Sequence, residues 1–298
     1  MSALVSIREL ERIRTFTALG FRFWDGGFAT PITDGVFATA RPWGRPDDKP
    51  VVAVQTYSGA LGFHGLPGLR TIENEGLDAP LSSPGTRRYL IEVTDQKRRF
   101  APAAFGVDLP LPYTGPYLGP TLPSPPPPGF ILVTGPDRPR DPALARVTGE
   151  LAFAATGAPA SWAVVTVTDL ASNAWHGIAD SAGRFSVLMP WPSLDQVIPG
   201  SPPTGAASSL LRRSWTVTIE VQASPSALPP ITASGIPDYS DILGQPSADI
   251  WPEPPDSTPA PVPAPTLPVE LRFGETLVLR SGTTSSRLLV GAAPPSLP

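Results

Sequence analysis

Residues Arg146–Pro192 read RVTGELAFAATGAPASWAVVTVTDLASNAWHGIADSAGRFSVLMPWP. Three turn clusters divide this stretch into apolar runs: Ala155-Thr156-Gly157-Ala158-Pro159, Ala171-Ser172-Asn173 and Asp180-Ser181-Ala182-Gly183. Asp at the start of such a cluster accepts from nearby backbone N–H groups, and Gly supplies a left-handed residue at no steric cost. Short β-rich runs punctuated in this way predict a small antiparallel β-sandwich. Val165, Val167, Phe185 and Val187 are its expected core, together with Trp162, and Trp215 is a further core candidate.

The rest of the chain follows the same pattern. Strand-like runs cover Phe16–Trp24, Val36–Ala40, Val51–Tyr57, Ala60–His64, Arg88–Thr94 and Phe100–Leu109. Others cover Gly129–Gly135, Trp215–Val221, Val269–Phe273, Thr276–Arg280 and Arg287–Val290. The Gly129–Gly135 run pairs with either half of the chain. Thr30–Ala40 and Ala158–Val167 share a proline turn followed by a β run, the layout of a loose internal repeat. Proline accounts for 42 of 298 residues, well above its usual ~5%, and it breaks helix interiors. The expected fold is therefore all-β: two prealbumin/Ig-like β-sandwich domains with long Pro-rich loops and a linker. An N-terminal arm takes residues 1–14, where helical spacing is weak. The first sandwich takes 15–112, a Pro-rich linker 113–144, and the second sandwich 145–298 with a Pro-rich excursion at 224–268. Pro125-Pro126-Pro127-Pro128 reads as a stiff polyproline II spacer.

Composition excludes several function classes. The net charge of −4 argues against nucleic acid as a partner. With no cysteine, disulfides and thiolate metal sites are ruled out. The charged N-terminus has no secretory apolar core, so cytoplasmic synthesis without a signal peptide is expected. No apolar run of about 18 residues occurs, so no direct membrane insertion is expected.

The chemistry of the residues gives no catalytic, cofactor or metal site. His64 and His176 are the two histidines and are expected in different domains, whereas a zinc site needs three or four ligands. Neither a Gly-x-Ser-x-Gly elbow nor a phosphate-binding loop is present. The partner-binding candidates are Trp43 and Trp251, which stand in Pro-rich loops, and Arg98 and Arg99 in the Lys97-Arg98-Arg99 cluster. The alternatives are stacking of each indole on a neighbouring proline and, for the arginines, solvated charge at a sheet edge.

Gly149, Gly157-Ala158-Pro159, Ala163–Val167 and Ala179–Phe185 follow the order and spacing of the carboxypeptidase regulatory-like family, and the segment Gly149–Pro192 resembles its transthyretin/CnaB-like sandwich. CnaB-like relatives sometimes carry a Lys–Asn isopeptide bond. Lys49 and Lys97 are the only lysines, so that resemblance leaves no internal bond for the second sandwich and Lys49–Asn74 as a formally possible pairing in the first. Over most of its length, through Phe21–Asp25, Leu66–Arg70, Val93–Pro102 and Gly177–Asp180, the chain resembles uncharacterised accessory proteins of phage-tail-like contractile injection systems. That resemblance implies a non-enzymatic structural part at a baseplate or tail end, with other protein subunits of the particle as partners. The alternative is a carbohydrate- or surface-binding adhesion module, which would show a row of exposed aromatics on one sheet face.

Overall fold

The computed structural model describes residues 17–70, 73, 85–111, 115–119, 129–192, 213–259 and 261–292. The expected N-terminal arm, the polyproline run and Asn74 lie outside the described residues. The chain is all-β, with strands packed around two large cores.

The first core is enclosed by a four-stranded antiparallel sheet and two three-stranded sheets. The four-stranded sheet has the order β5 (Val51–Val52), β4 (Val36–Pro42), β8 (Arg87–Asp95), β9 (Ala103–Leu109). One small sheet joins β1 (Leu19–Phe21), β7 (Leu61–Phe63) and β6 (Val54–Gln55). The other joins β10 (Phe130–Leu132), β2 (Phe23–Asp25) and β3 (Thr30–Pro31). Aromatic rings fill the space between them. Phe105 stacks on Phe130 at 4.9 Å and on Tyr117 at 5.5 Å, and Phe21 meets Phe63 edge-on at 5.9 Å. Such pairs add about 0.5–1.5 kcal/mol each beyond the area they bury.

The second core lies between two five-stranded sheets. In one, β12 (Val164–Thr168) pairs on one side with β13 (Ala174–Ile178) and on the other with β15 (Ser214–Gln222). The far edge of β15 is shared by β16 (Ser247–Ala248) and β18 (Thr266–Arg272). In the other sheet, β11 (Leu144–Phe153) pairs with β14 (Arg184–Pro190) and shares its second edge between β19 (Thr276–Leu279) and β20 (Leu288–Val290). Beyond β20 lies β17 (Ile250–Trp251). The Asp180 turn forms as its residues demand. Asp180 Oδ1 accepts from the N–H groups of Ala182 and Arg184 at 2.9 Å. Gly183 has φ +81°, and a Cβ there would lie 2.4 Å from the Leu151 carbonyl oxygen. Only glycine fits that position.

Four expectations need correction. First, the pairing is not purely antiparallel: β10 runs parallel to β2, and both β19 and β20 run parallel to β11. Long crossovers separate these strands, which is what parallel pairing requires. Second, the linker stops short of residue 144: the Gly129–Gly135 run forms the expected strand, and that strand joins the first sandwich. This strand, β10, enters the first core through Phe130 and Leu132, and Thr134 beyond it bridges to both Phe100 and Gly177.

Third, the Pro-rich excursion folds back onto the protein. It carries a single-turn helix, α1 (Tyr239–Leu243), whose Tyr239 and Ile242 are buried in the first core beside Val164 and Ile178 of the second sandwich. Ile231 and Ile236 of the same excursion, with Trp162, cover Leu90 and Ala104 on the outer face of the β5–β4–β8–β9 sheet.

Fourth, Val165, Val167, Phe185 and Val187 do form the second core, but Trp162 does not. It is partly buried at the junction of the two sandwiches, with φ +63°. Trp215 is likewise partly buried, in an aromatic cluster with Trp191 and Phe273.

Candidate functional site

The candidate partner-binding residues separate in space. Trp43 is 38% exposed, and the Arg88 guanidinium lies 4.3 Å above its ring, a cation–π contact. Trp251 is not an exposed anchor. It lies in β17, is 5% exposed, and donates Nε1–H to the Gly291 carbonyl at 2.9 Å. The prolines that follow it suggested a loop, but the partner strand β20 arrives from much later in the chain.

Arg99 is not free either. Its guanidinium donates to Asp95 Oδ2 at 3.0 Å and to Asp34 Oδ1 at 3.0 Å, so it clamps the β8–β9 turn to the β3–β4 connection. Lys97 and Arg99 hold the Asp34 carboxyl below its usual range by hydrogen bonding. Arg98 sits on that turn with φ +53°, exposed among these charges.

Around Trp43, the outer face of the β5–β4–β8–β9 sheet is uncovered. Phe37, 41% exposed, precedes Thr39 by two residues and so shares its face. Val52 pairs with Thr39 and is 55% exposed. Val54 on β6 and Tyr57 in the turn after it are also exposed, where the chain passes to the β1–β7–β6 sheet. This uncovered area adjoins the Leu90–Ala104 area that Ile231, Ile236 and Trp162 cover. Arg45 and Arg88 supply the charge at the Trp43 end, the Arg45 side chain being 72% exposed.

The second feature is a cleft of about 590 Å³ on the outer face of the β13–β12–β15–β18 sheet. Strand register sets its floor. Thr166 on β12 is opposite His176 on β13 and Glu220 on β15, and Glu220 is opposite Thr266 on β18. One polar row therefore crosses four strands. Gln222, Ser172 and Ser247 also line the cleft, and Leu243 at the end of α1 forms part of its wall. Ser172 is held at φ +65° by a tight turn in which Asp169 Oδ1 accepts from the N–H groups of Ala171 and Asn173 at 2.9 Å.

His176 Nδ1 shares a 3.0 Å hydrogen bond with Thr166 Oγ1, while Nε2 is buried without a hydrogen-bond partner among the described residues. Burial pushes the imidazole pKa down. The unfolded chain therefore takes up a proton at a higher pH than the folded one. Stability falls as the pH drops below about 6.5, the unfolded value, and the loss ends once the folded imidazole protonates. His176→Gln is expected to flatten the change in urea midpoint between about pH 7.5 and 5.5, a change no steeper than about 1.4 kcal/mol per pH unit. An unchanged pH profile in the variant would assign the dependence to other groups.

His64 lies in the first sandwich, where Nε2 shares a 3.2 Å hydrogen bond with Thr17 Oγ1. The two histidines thus occupy separate sandwiches. No cluster of three or more His, Asp or Glu side chains suited to a metal occurs among the described residues. No helix among them is long and apolar enough to cross a membrane.

No protein-family model and no curated protein matches the chain. Solved structures that align with it include the Bacillus anthracis TIE protein, at 9% identity and a TM-score of 0.24, over 87% of this chain and 32% of that one. The chain thus spans about a third of that protein's length. A mutant of the shaft pilin SpaA from Lactobacillus rhamnosus GG aligns at 11% identity and a TM-score of 0.24, covering 94% of this chain and 99% of the pilin. A putative adhesin from Bacteroides ovatus aligns at 11% identity and a TM-score of 0.18, covering 94% and 100%. At such TM-scores none of these likenesses carries an argument about topology or function. The architecture rests on the strand register itself.

Proposed function

We propose that the chain is a non-catalytic structural subunit of a multi-protein assembly, docked through the exposed outer face around Phe37, Trp43 and Val52. The observation that carries this reading is the abrupt end of cover on that sheet. Leu90 and Ala104 on its outer face are buried by Ile231, Ile236 and Trp162, and elsewhere on that face Phe37, Trp43 and Val52 are exposed. Exposed apolar side chains gathered on one sheet face mark protein interfaces, here on either side of the Arg41–Glu92 ion pair. Arg88 beside Trp43 favours a partner that is apolar at its centre and acidic at its rim, whereas Arg45 is already paired with Asp48. Both cores are joined by α1 and by β10 with the Thr134 bridges that follow it, so the docked body is stiff. In its finer form, which rests on the resemblance of Phe21–Asp25, Leu66–Arg70 and Val93–Pro102, the assembly is a phage-tail-like contractile injection particle.

The test is affinity purification from the native cell, with the wild type beside a Phe37→Asp/Val52→Asp variant. Sheath, tube or baseplate subunits are expected with the wild type and at least tenfold less with the variant. That loss corresponds to about 1.4 kcal/mol of binding, less than one hot-spot residue often contributes. Recovery of a clean monomer, or equal capture by both proteins, would overturn the reading.

A further inference from the structure

We infer that the cleft floored by Thr166, His176 and Glu220 is a binding site for a neutral polyhydroxyl ligand, a saccharide unit, separate from the apolar docking face. Its volume, about 590 Å³, falls within the ~300–1,000 Å³ range of small-molecule sites. The row His176–Thr166–Glu220–Thr266 spans three strand spacings, roughly 14 Å at ~4.8 Å per strand. That length offers several adjacent hydroxyls their own partners.

The chemistry of the lining selects the ligand class. Threonine hydroxyls both donate and accept, the Gln222 carboxamide does the same through two atoms, and the Glu220 carboxylate accepts. This mixture matches a sugar, whose hydroxyls also donate and accept. No Lys or Arg lines the cleft, so an anionic ligand would meet Glu220 with no compensating cation. One exposed carboxylate gives little affinity for a cation, because water screens it.

His176 fixes the cleft floor. Its Nδ1 is committed to Thr166, which fixes the ring on the cleft floor, and its Nε2 has no partner among the described residues. A buried polar atom left in that state costs about 1–3 kcal/mol. That nitrogen is sealed from the cleft, so His176 acts on the site by holding Thr166 rather than by touching a ligand. The cleft is also preorganised. Its floor is sheet, its Ser172 rim is fixed by the Asp169 turn, and its Leu243 wall belongs to a helix anchored in the first core. Little ordering entropy is lost on binding.

The test is NMR titration of the full chain with methyl glycosides of glucose, galactose, mannose and N-acetylglucosamine, with spermidine as a cationic probe. At least one glycoside is expected to shift the Thr166, His176 ring and Glu220 signals, with millimolar affinity. Glu220→Gln should weaken that affinity at least tenfold without moving the thermal midpoint, and Thr166→Val should weaken it as much while lowering the midpoint, because it strands His176 Nδ1. Glu270→Gln, on the same sheet face outside the cleft, should leave it unchanged. Glu220 is exposed, so its variant folds even if Thr166→Val does not. The inference is overturned if no glycoside shifts the cleft signals at about 10 mM, roughly tenfold above a 1 mM Kd. It is equally overturned if Glu220→Gln binds as well as wild type, or if spermidine alone binds.

Discussion

Replacing Arg138 by alanine is expected to destabilise the protein by about 3–5 kcal/mol, the usual cost of stranding one partner of a buried ion pair. Arg138 Nη1 and Nη2 donate to Asp25 Oδ1 and Oδ2 at 3.0 and 2.6 Å, and both residues are 7% exposed. The guanidinium also lies 5.1 Å from the Phe100 ring and 5.4 Å from Phe28. Without it, among the described residues the Asp25 carboxylate keeps one bond, from the Gly27 N–H at 2.8 Å. Arg138→Lys should recover only part of the loss, because an ammonium cannot reproduce the two-pronged geometry. The double variant Asp25→Ala/Arg138→Ala should cost clearly less than the two single changes added, since neither charge is then left alone. Urea denaturation of the four proteins measures this. A loss under about 1 kcal/mol for Arg138→Ala would mean that water screens the pair as it does on a surface.

That pair shows where sequence reading stops. Asp25-Gly26-Gly27 reads correctly as a turn, and nothing local says that the Asp25 carboxylate points inward. Arg138 lies in Gly135-Pro136-Asp137-Arg138-Pro139, where proline density suggests a spacer. Their contact is set by β10 pairing with β2 across the whole first sandwich. The strands themselves were legible because their signal is local. Alternation in Trp215–Val221 and the Asp180–Gly183 turn need no distant partner. Trp251 was misplaced for the opposite reason: its burial depends on β20, which adds to the sheet from near the end of the chain. The cleft was legible only by halves. The Thr166 and Glu220 positions alternate with core residues and so face outward, but the row they form with His176 exists only in the strand register. In α1, five residues are too few to show a helical period, so its signal was hidden among prolines.

Ile242→Ala should destabilise the protein by about 2–5 kcal/mol, as large-to-small core changes do, and should also change how the protein unfolds. A helix of five residues has no stability of its own. It persists because Asp238 Oδ1 caps the Ser240 N–H at 2.9 Å and because Tyr239 and Ile242 are buried. Gln245 secures its end by donating to the Trp162 carbonyl at 2.7 Å and accepting from the Ser224 N–H at 2.9 Å. The side chains of α1 enter the first core, while the chain on either side of it belongs to the second sandwich through β15 and β16. Loss of α1 from the first core therefore removes cover from Val164 and Ile178 as well. Wild type should melt in one calorimetric transition spanning both sandwiches, and Ile242→Ala should split it into two. Tyr239→Phe on the same helix should move stability the other way, by about 1 kcal/mol, because the Tyr239 hydroxyl is buried without a partner among the described residues. Burial already pushes that phenol's pKa up, the mark of a polar group held in apolar surroundings. Two transitions already present in the wild type would show that α1 packs without coupling. A stabilising phenylalanine beside a single-transition wild type and a split Ile242→Ala melt would establish α1 as the joint through which the two sandwiches unfold together.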